Sequence, residues 1–261
     1  MNTLPNIIYE KDKEISYVTI NREKTHNTFD YQTLYELSKV VEEIHLDNDV
    51  QVVIFTGQGN KAFSAGADLK ERKTLTPTEV RRNVKWISDV FNAIANLPQV
   101  TIAAVNGYAF GGGFELVLAC DFAIASNNSQ FGLTETSWAI IPGAGGTQRL
   151  PRLVGAMRAK ELILTARRFD AIEAKELGVV LDVVEGEHLL QTCKELAERI
   201  TQNGPVAIRQ AKFAINEGLN TDIETGIKIE SKAYELTIDT EDRLEALAAF
   251  AEKRKPVFKG K

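Results

Sequence analysis

The sequence predicts an α/β core followed by a helical C-terminal region. Two observations support this division. Short runs of β-branched residues alternate with amphipathic segments up to about residue 185. From residue 170 onward the pattern is mostly helical. The mixed order of strands and helices indicates an α/β layer architecture, so we divide the chain into a core domain, 1–200, and a helical region, 201–261.

The predicted strands of the core are short segments rich in β-branched and apolar residues. Residues 15–20 (ISYVTI) and 50–56 (VQVVIFT) have this composition. The segments 100–105 (VTIAAV) and 120–125 (CDFAIA) predict two further buried strands.

Helices are predicted where apolar residues recur three and four positions apart. Asp30 is a candidate cap for a helix whose apolar positions are Leu34, Leu37, Val41 and Ile44. The other predicted helices cover residues 78–97, 147–157, 170–177, 186–201, 205–217, 222–237 and 240–253.

The last predicted helix has an apolar stripe with few partners left in the chain. Its members are Leu244, Leu247 and Phe250. Because such stripes are commonly buried against another subunit, this helix predicts self-association.

Composition limits the classes of function. The 261 residues carry a formal net charge of -5, which argues against nucleic acid as the main partner. The two cysteines, Cys120 and Cys193, are far apart and lack metal-ligand spacing. They predict free thiols in a reducing compartment.

The N-terminal residues lack a basic segment followed by an apolar one, so no secretory signal is predicted. No apolar run approaches the roughly 18 residues needed to cross a bilayer. These features predict a cytoplasmic protein that does not enter a membrane, or else the mature form of an organelle protein.

A glycine cluster, Gly111–Gly113, follows a predicted buried strand and is expected to open a helix. The first N–H groups of a helix have no internal partner and carry the positive end of the helix dipole. They can therefore hold an anion or a developing oxyanion. The alternative is a tight strand-to-helix turn whose glycines serve packing alone.

A second segment of small residues, FSAGADL at 63–69, also follows a predicted strand. Small residues let a ligand approach the backbone closely. Two such turns can each supply one N–H to a single carbonyl oxygen.

Glu115 and Glu135 are the candidate acid–base residues. Glu115 lies in the first turn of the glycine-opened helix, and Glu135 precedes an apolar stretch and a Gly-rich loop. The alternative is that each is a helix cap or a surface residue. No HExxH motif or Cys/His cluster is present, so no metal site is predicted.

Together, these segments resemble the enoyl-CoA hydratase/isomerase (crotonase) superfamily over nearly the whole chain. The motifs are specific in combination: AFSAGADL at 62–69, VNGYAFGGGFELVLACD at 105–121 and FGLTETSWAIIPGAGGTQRLPRLVG at 131–155. LKER at 69–72 and the C-terminal half resemble the methylglutaconyl-CoA hydratase branch, which is also known for binding AU-rich RNA.

The resemblance implies a spiral of ββα units and a C-terminal helical trimerisation region at 201–261, with homotrimers or homohexamers. It implies reversible addition of water to the 2,3-double bond of an acyl-CoA, as in the β-oxidation of fatty acids. Coenzyme A is then part of the substrate, and no separate cofactor is expected. The alternative is a methylglutaconyl-CoA hydratase of leucine catabolism with secondary RNA binding.

The resemblance also implies roles for individual residues. Ala67 and Gly112 match the two amide donors to the thioester oxygen, and Glu115 and Glu135 match the acid–base pair. Gly143 matches a position whose N–H helps to place the water. The residues implied to line the coenzyme A groove are Ala65, Gly66, Ala67, Asp68 and Leu69.

Three further groups of residues are candidates for binding, each with a structural alternative. The tail cations are candidates for the coenzyme A phosphates, or else a solvated tail: Lys253, Arg254, Lys255 and Lys259. The aromatic candidates for an acyl pocket, or else for the core, are Trp86, Trp138 and Phe258. The candidate RNA-binding cations, or else a solvated helix face, are Lys70, Arg72, Lys73, Arg81, Arg82 and Lys85.

Overall fold

The computed structural model describes residues 4–261 and contains two β-sheets surrounded by helices. The strands are β1 (Ile7–Asp12), β2 (Ile15–Ile20), β3 (Val52–Gly57), β4 (Ala62–Ser64), β5 (Val100–Val105), β6 (Tyr108–Phe110), β7 (Phe122–Ser126), β8 (Gln130–Gly132), β9 (Phe169–Asp170) and β10 (Asp182–Val184).

The helices pack around these sheets and continue beyond them. They are α1 (Tyr31–Leu46), α2 (Leu69–Arg72), α3 (Pro77–Ala95), α4 (Gly112–Ala119), α5 (Gly146–Val154), α6 (Ala156–Leu164), α7 (Ala171–Glu176), α8 (Leu189–Thr201), α9 (Pro205–Gly218), α10 (Ile223–Ile238) and α11 (Glu241–Glu252). Among the helices described, none is both long enough and apolar enough to cross a bilayer.

The larger sheet has the strand order β1-β2-β3-β5-β7-β10. β1 and β2 are antiparallel, and every other pairing in this sheet is parallel. The strands predicted from composition, β2, β3, β5 and β7, are all present and form its centre. β3 and β5 are buried along their whole length, as expected for strands covered by helices on both faces.

Three consecutive ββα units build the spiral. β3, β5 and β7 lie in the larger sheet, and each is followed by one short strand of the smaller sheet: β4, β6 and β8. These three short strands are parallel neighbours. The carboxyl ends of β4, β6 and β8 therefore meet at one edge of the smaller sheet.

The predicted cap of α1 is present. The Asp30 carboxylate accepts a hydrogen bond from the Thr33 N–H at 2.8 Å. The predicted apolar positions, Leu34, Leu37 and Ile44 among them, are fully buried against the larger sheet.

The predicted helix over 147–157 is wrong in its extent. The structure has two helices there, α5 and α6, separated by Gly155. Gly155 has φ of 79°, which interrupts helical geometry and favours glycine. Gly155 is therefore the one residue that marks the start of the second helix in the sequence.

The C-terminal helices contact the core at a few points. Lys212 of α9 bonds to Asp121 at 2.6 Å, and α9 packs against α10. The predicted stripe of α11 is exposed: Leu244 by 62%, Leu247 by 58% and Phe250 by 85%. The division between 1–200 and 201–261 falls at the end of α8 and stays a prediction.

Both cysteines are free thiols, as predicted. Cys193 is buried beneath the larger sheet, and burial raises its pKa to about 12. Burial also raises the pKa of Cys120. Neither thiol is therefore poised as a nucleophile.

Candidate active site

The candidate site lies where β4, β6 and β8 end. The turn after β4 contains Ala67, the turn after β6 contains Gly112, and the turn after β8 leads to Glu135. The order of the three strands puts the Gly112 turn between the other two. Three segments that are distant in the sequence are thus brought together by one sheet edge.

The main chain on both sides of Ala67 is fixed by Phe29. The Phe29 N–H donates to the Gly66 carbonyl at 2.8 Å, and the Asp68 N–H donates to the Phe29 carbonyl at 3.0 Å. The Asp68 carboxylate also accepts a hydrogen bond from Arg22 at 3.2 Å. This segment is therefore held without using the N–H of Ala67.

The amide of Gly112 lies beside that of Ala67. A Cβ at Gly112 would be 3.8 Å from the Ala67 nitrogen, and a Cβ at Gly66 would be 2.9 Å from the Gly112 nitrogen. Within residues 4–261, neither the Ala67 N–H nor the Gly112 N–H donates a hydrogen bond. Two neighbouring amides are thus left to donate to a ligand, as the glycine cluster predicts.

The packing alternative for the glycine cluster also holds, but at a different residue. Any side chain at Gly113 would overlap the Ser64 carbonyl, so α4 can approach β4 only with glycine here. At Gly112 the space is open enough for a methyl group, with contacts of 3.6–3.9 Å. Gly113 therefore serves packing, whereas the packing around Gly112 does not require a glycine.

Glu115 lies one turn into α4 and is only 3% exposed. Its Oε1 accepts hydrogen bonds from the N–H groups of Ala144 at 2.7 Å and Gly146 at 2.8 Å. These donors belong to the Gly-rich loop before α5. Two N–H groups aimed at one oxygen favour the ionised carboxylate.

Opposing influences act on the pKa of Glu115. Burial raises it above the ordinary value of a glutamate, and this is the largest influence. The N–H groups of the loop, that of Gly143 included, and the charge of Arg149 act to lower it. The pKa of Glu115 is raised overall, because the N–H groups and Arg149 offset only part of the effect of burial.

Glu135 begins the 3₁₀ turn Glu135–Trp138. Its carboxyl group lies against the Gly111 backbone, where a Cβ would be 3.3 Å from Glu135 Oε1. Its Oε2 is buried and has no hydrogen-bond partner among the described residues. Burial, followed by the charge of Glu115, raises the pKa of Glu135 to about 7.

Gly143 lies at the start of the loop that binds Glu115 and is exposed. Val84 of α3 packs against it, since a Cβ at Gly143 would be 2.8 Å from Val84 Cγ1. The structure thus brings Gly143 to the same site as Glu115. Its part in placing a water molecule stays a prediction.

The segment 65–69 runs along the same edge. Gly66 is buried, Leu69 is exposed, and the Asp68 side chain is bonded to Arg22 and caps α2. Burial works to raise the pKa of Asp68, but its N–H and Arg22 partners outweigh burial and lower it. Asp68 therefore holds the segment in place as a carboxylate.

The tail residues are not brought to this edge within the described chain. The N–H groups of Lys259 and Gly260 donate to the Asp242 carboxylate, which fastens the tail to the start of α11. The Nζ atoms of Lys253, Lys255 and Lys259 form no ion pair in the region described. Their contact with coenzyme A stays a prediction.

The aromatic candidates differ in environment. Trp138, next to Glu135 in the 3₁₀ turn, is 64% exposed. Trp86 packs edge-on against Tyr31 with ring centroids 4.6 Å apart. Phe258 lies in the tail beside Gly204.

The candidate RNA-binding cations do not form one free basic face. Arg72 is half-buried and donates to Asn83 Oδ1 at 2.8 Å. Lys85 pairs with Asp89 at 2.6 Å. The remaining members are exposed: Lys70, Lys73, Arg81 and Arg82.

Sequence reasoning missed Arg149, and it named the partly buried Arg72 only as a candidate RNA-binding cation. Arg149 donates to the Ala144 carbonyl at 2.9 Å, behind the loop that binds Glu115. In the sequence it is one arginine among several on an amphipathic helix, and no spacing marks it. Only its burial and its contacts separate it from exposed neighbours such as Arg152.

The arrangement suits acid–base chemistry on a substrate whose oxygen becomes negatively charged. The two N–H groups that donate no hydrogen bond among the described residues, those of Ala67 and Gly112, can stabilise that charge. A carboxyl group with a pKa near 7 and a second one held by N–H donors can divide proton transfer between them.

Known proteins share this sequence and fold. The family model for enoyl-CoA hydratase/isomerase matches residues 10–261. The chain is 46% identical over 252 residues to the short-chain-enoyl-CoA hydratase of Clostridium acetobutylicum, covering 97% of each chain. It is 46% identical over 255 residues to the mitochondrial methylglutaconyl-CoA hydratase of Mus musculus, covering 96% of this chain and 81% of the relative.

A solved structure agrees with the fold in detail. The crystal structure of enoyl-CoA hydratase from Bacillus anthracis superposes with a TM-score of 0.97 at 50% identity, covering 98% of this chain and 100% of that one. The predicted crotonase-like fold and the predicted hydro-lyase class are confirmed. The chain belongs to the enoyl-CoA hydratase/isomerase family.

Proposed function

We propose that the protein is an enoyl-CoA hydratase. It adds water reversibly to the 2,3-double bond of an α,β-unsaturated acyl-CoA to give a 3-hydroxyacyl-CoA. The observation that supports this most strongly is a pair of carboxyl groups with different environments. Glu115 accepts N–H donors and Glu135 has a raised pKa, and both lie beside two N–H groups, of Ala67 and Gly112, that donate no hydrogen bond among the described residues. Coenzyme A enters as part of the substrate, so the reaction needs no separate cofactor.

In this proposal the thioester oxygen accepts hydrogen bonds from Ala67 and Gly112. Negative charge builds on that oxygen as water adds to the β-carbon and an enolate forms. Because the two amides are held by the sheet edge, they stabilise the charge without reorganising. Backbone donors also cannot lose their protons at neutral pH.

The two glutamates divide the proton transfers. Glu115, held by N–H donors, takes a proton from the attacking water, because its donors favour the carboxylate. Glu135, whose pKa is about 7 and whose Oε2 lacks a partner, delivers a proton to the α-carbon. The same pair runs the reverse dehydration.

Substrate binding follows from the same segment. Residues 65–69 line the coenzyme A groove, and Gly143 helps to place the water. The tail lysines, Lys253, Lys255 and Lys259, meet the phosphates of coenzyme A, with the exposed α11 stripe buried in a homotrimer or homohexamer. The exposure of Leu244 and Phe250 supports such an assembly.

The experiment is a spectrophotometric assay with crotonyl-CoA. We expect loss of absorbance of the conjugated enoyl thioester and formation of 3-hydroxybutyryl-CoA, identified by mass. Formation of a shifted double bond without uptake of water would instead indicate an isomerase. Absence of any conversion of enoyl-CoA substrates of several chain lengths would refute the proposal.

A second candidate substrate is methylglutaconyl-CoA, which carries a carboxylate at the far end of its acyl group. Arg72 favours it. Within the described part of the chain, its guanidinium has no carboxylate at ion-pair distance and bonds only to the neutral side chain of Asn83. Burial lowers its pKa, against the charge of Glu71.

Arg72 is connected to two segments of the site. It ends α2, which begins two residues after Ala67, and its partner Asn83 precedes Val84, which packs on Gly143. A half-buried cation without an anionic partner suits a substrate carboxylate.

This second candidate is tested by comparing kcat/KM for methylglutaconyl-CoA and crotonyl-CoA. Arg72→Met should lower kcat/KM for methylglutaconyl-CoA by about tenfold or more, as expected for a hydrogen bond to a charged group. It should leave crotonyl-CoA turnover nearly unchanged. Lys70→Met, on the exposed side of the same helix, is the matched control, and equal losses on both substrates would exclude the role.

The remaining expectations have less support. A place in fatty acid β-oxidation and a cytoplasmic location follow from the proposed activity and the composition. Secondary RNA binding rests on four exposed cations, since Arg72 and Lys85 are engaged elsewhere.

A further inference from the structure

Arg149 is a partly buried cation that the proposed reaction does not use directly. It lies on α5, one turn beyond the Gly-rich loop that binds Glu115. Burial lowers its pKa, and the charge of Glu115 opposes this. In the part of the chain that the structure describes, no carboxylate lies within ion-pair distance of it. A partly buried guanidinium without an ion pair needs another explanation.

The guanidinium joins the loop to α3. Nη1 donates to the Ala144 carbonyl at 2.9 Å, and Nη2 donates to Asn92 Oδ1 at 2.7 Å. Ala144 is also the residue whose N–H donates to Glu115 Oε1 at 2.7 Å. Ala144 therefore contacts both side chains: its carbonyl accepts a hydrogen bond from Arg149, and its N–H donates one to Glu115.

The backbone next to Ala144 is shaped around the same side chain. Gly145 has φ of 105°, a conformation that favours glycine. A Cβ at Gly145 would overlap Arg149 Nη1. Because the guanidinium fills this space, the turn that directs the N–H groups of Ala144 and Gly146 toward Glu115 depends on it.

We infer that Arg149 is a positioning residue, which holds the 143–146 loop so that its N–H groups meet Glu115 and which keeps a positive charge behind that carboxylate. This inference rests on the proposed function for its kinetic consequences. The geometric part, the hold on the loop, does not depend on the substrate.

The charges around Glu115 come from three elements. The charge of Glu115 raises the pKa of Glu135 in the 3₁₀ turn, and Arg149 of α5 acts to lower the pKa of Glu115. Cys120, at the end of α4, faces Arg149 and has a pKa raised by burial. Arg149 is therefore the cation that acts against the effect of burial on the pKa of Glu115.

The test uses Arg149→Met, which keeps bulk but removes both the charge and the donors. Since loss of a positive charge raises the pKa of Glu115, and the base must be ionised to accept a proton, the acidic limb of kcat/KM should move to higher pH. We expect kcat to fall by about tenfold to a hundredfold, as for a misplaced catalytic group, with KM changed little.

Two milder variants separate position from charge. Arg149→Lys keeps the charge but cannot bond to Ala144 and Asn92 together, so the acidic limb should stay near its wild-type pH while kcat falls. Asn92→Ala, at an exposed position, removes the hydrogen-bond acceptor of Arg149 Nη2. This variant should lower kcat without shifting the acidic limb of the pH profile. Arg152→Met, one turn further along α5, is the matched control and should behave as wild type.

The pKa of Glu115 is also measured without turnover, by carbon-13 NMR of labelled glutamate with Glu115→Gln for assignment. An inactive wild-type protein would refute the proposed function, whereas the NMR titration would still test Arg149. The inference is overturned if Arg149→Met is folded and leaves both the acidic limb and the pKa of Glu115 unchanged. It is also overturned if Arg152→Met has the same effect as Arg149→Met.

Discussion

Glu115 and Glu135 are the same residue type at the same sheet edge, but their surroundings differ. Glu115 is almost fully buried, and its Oε1 receives two N–H donors from a loop backed by a cation. Glu135 has one buried oxygen with no partner, and its pKa is raised to about 7. The comparison teaches that donors to the carboxylate, more than depth of burial, decide which carboxyl group stays ionised.

The backbone supplies this difference. The N–H groups of Ala144 and Gly146 come from a glycine-rich turn and the first turn of α5, where donors have no helical partner. At Glu135 no N–H group of another segment has this effect, and only its own backbone N–H acts to lower its pKa. Coupling between the two groups then pushes their pKa values further apart, since the charge of one raises the pKa of the other.

The largest expected effect comes from replacing each glutamate by glutamine, which distinguishes the proton transfer that each carboxyl group performs. Glu115→Gln and Glu135→Gln should each lower the rate of hydration by about 10² to 10⁴, the usual range for a lost acid or base. Exchange of the α-hydrogens of butyryl-CoA in D₂O should be lost in Glu135→Gln and retained in Glu115→Gln, because exchange needs no attack by water.

Mass spectrometry of recovered butyryl-CoA measures this exchange, and circular dichroism shows that both variants are folded. Exchange lost equally in both variants would mean that the two glutamates act as one unit. Exchange lost only in Glu115→Gln would reverse the assigned roles.

An intermediate effect tests the amides that both glutamates flank. Gly112→Ala adds a methyl group at ordinary contact distance, 3.6 Å from Gly66 Cα, so the fold should persist. The methyl group occupies the space in front of the Ala67 N–H, and loss of one such donor costs about 10² to 10³ in kcat.

Gly186→Ala is the matched control, since a Cβ there meets only Ser126 at 3.9 Å. A melting temperature near that of wild type would show that the loss at Gly112 is chemical. Full activity in Gly112→Ala would mean that the thioester oxygen binds elsewhere.

The smallest expected effect is on stability. Because the pKa of Glu135 in the folded protein is about 7, above the ordinary value of 4.5, the folded state keeps a proton that the unfolded chain loses. This contribution is complete below pH 4.5 and is lost as pH rises toward 7. Glu135→Gln cannot lose it, so its free energy of unfolding relative to wild type should rise by about 1 to 2 kcal/mol between pH 5 and 8.

Urea denaturation at the two pH values measures this difference, with the exposed Glu176→Gln as the control. A difference that does not change with pH would indicate that Glu135 is ionised throughout this range.

Much of the core could be predicted from local patterns. Asp30 caps α1, and the strands β2, β5 and β7 lie within two residues of their predicted bounds. These features depend on neighbours in the sequence: a side-chain cap, a helical repeat, or a run of β-branched residues. The three glycines before Glu115 likewise open α4 where expected.

The smaller sheet could not be predicted in the same way. β4, β6 and β8 have three residues each, too few to show alternation of apolar and polar residues. They exist because the larger sheet sets them side by side and because Gly113 lets α4 approach Ser64. The role of Arg149 was equally hidden, since nothing adjacent in the sequence marks a cation that reaches back to Ala144.

The sequence by itself determined which residues could do chemistry: the small residues at 63–69 and 111–113, and the two glutamates, Glu115 and Glu135. Tertiary structure alone decided that these residues meet at one edge, and that Glu115 receives N–H donors while Glu135 does not. The physical reason is that residue type and local conformation depend on near neighbours, whereas proximity and pKa depend on segments that the folded sheets bring together from distant parts of the chain.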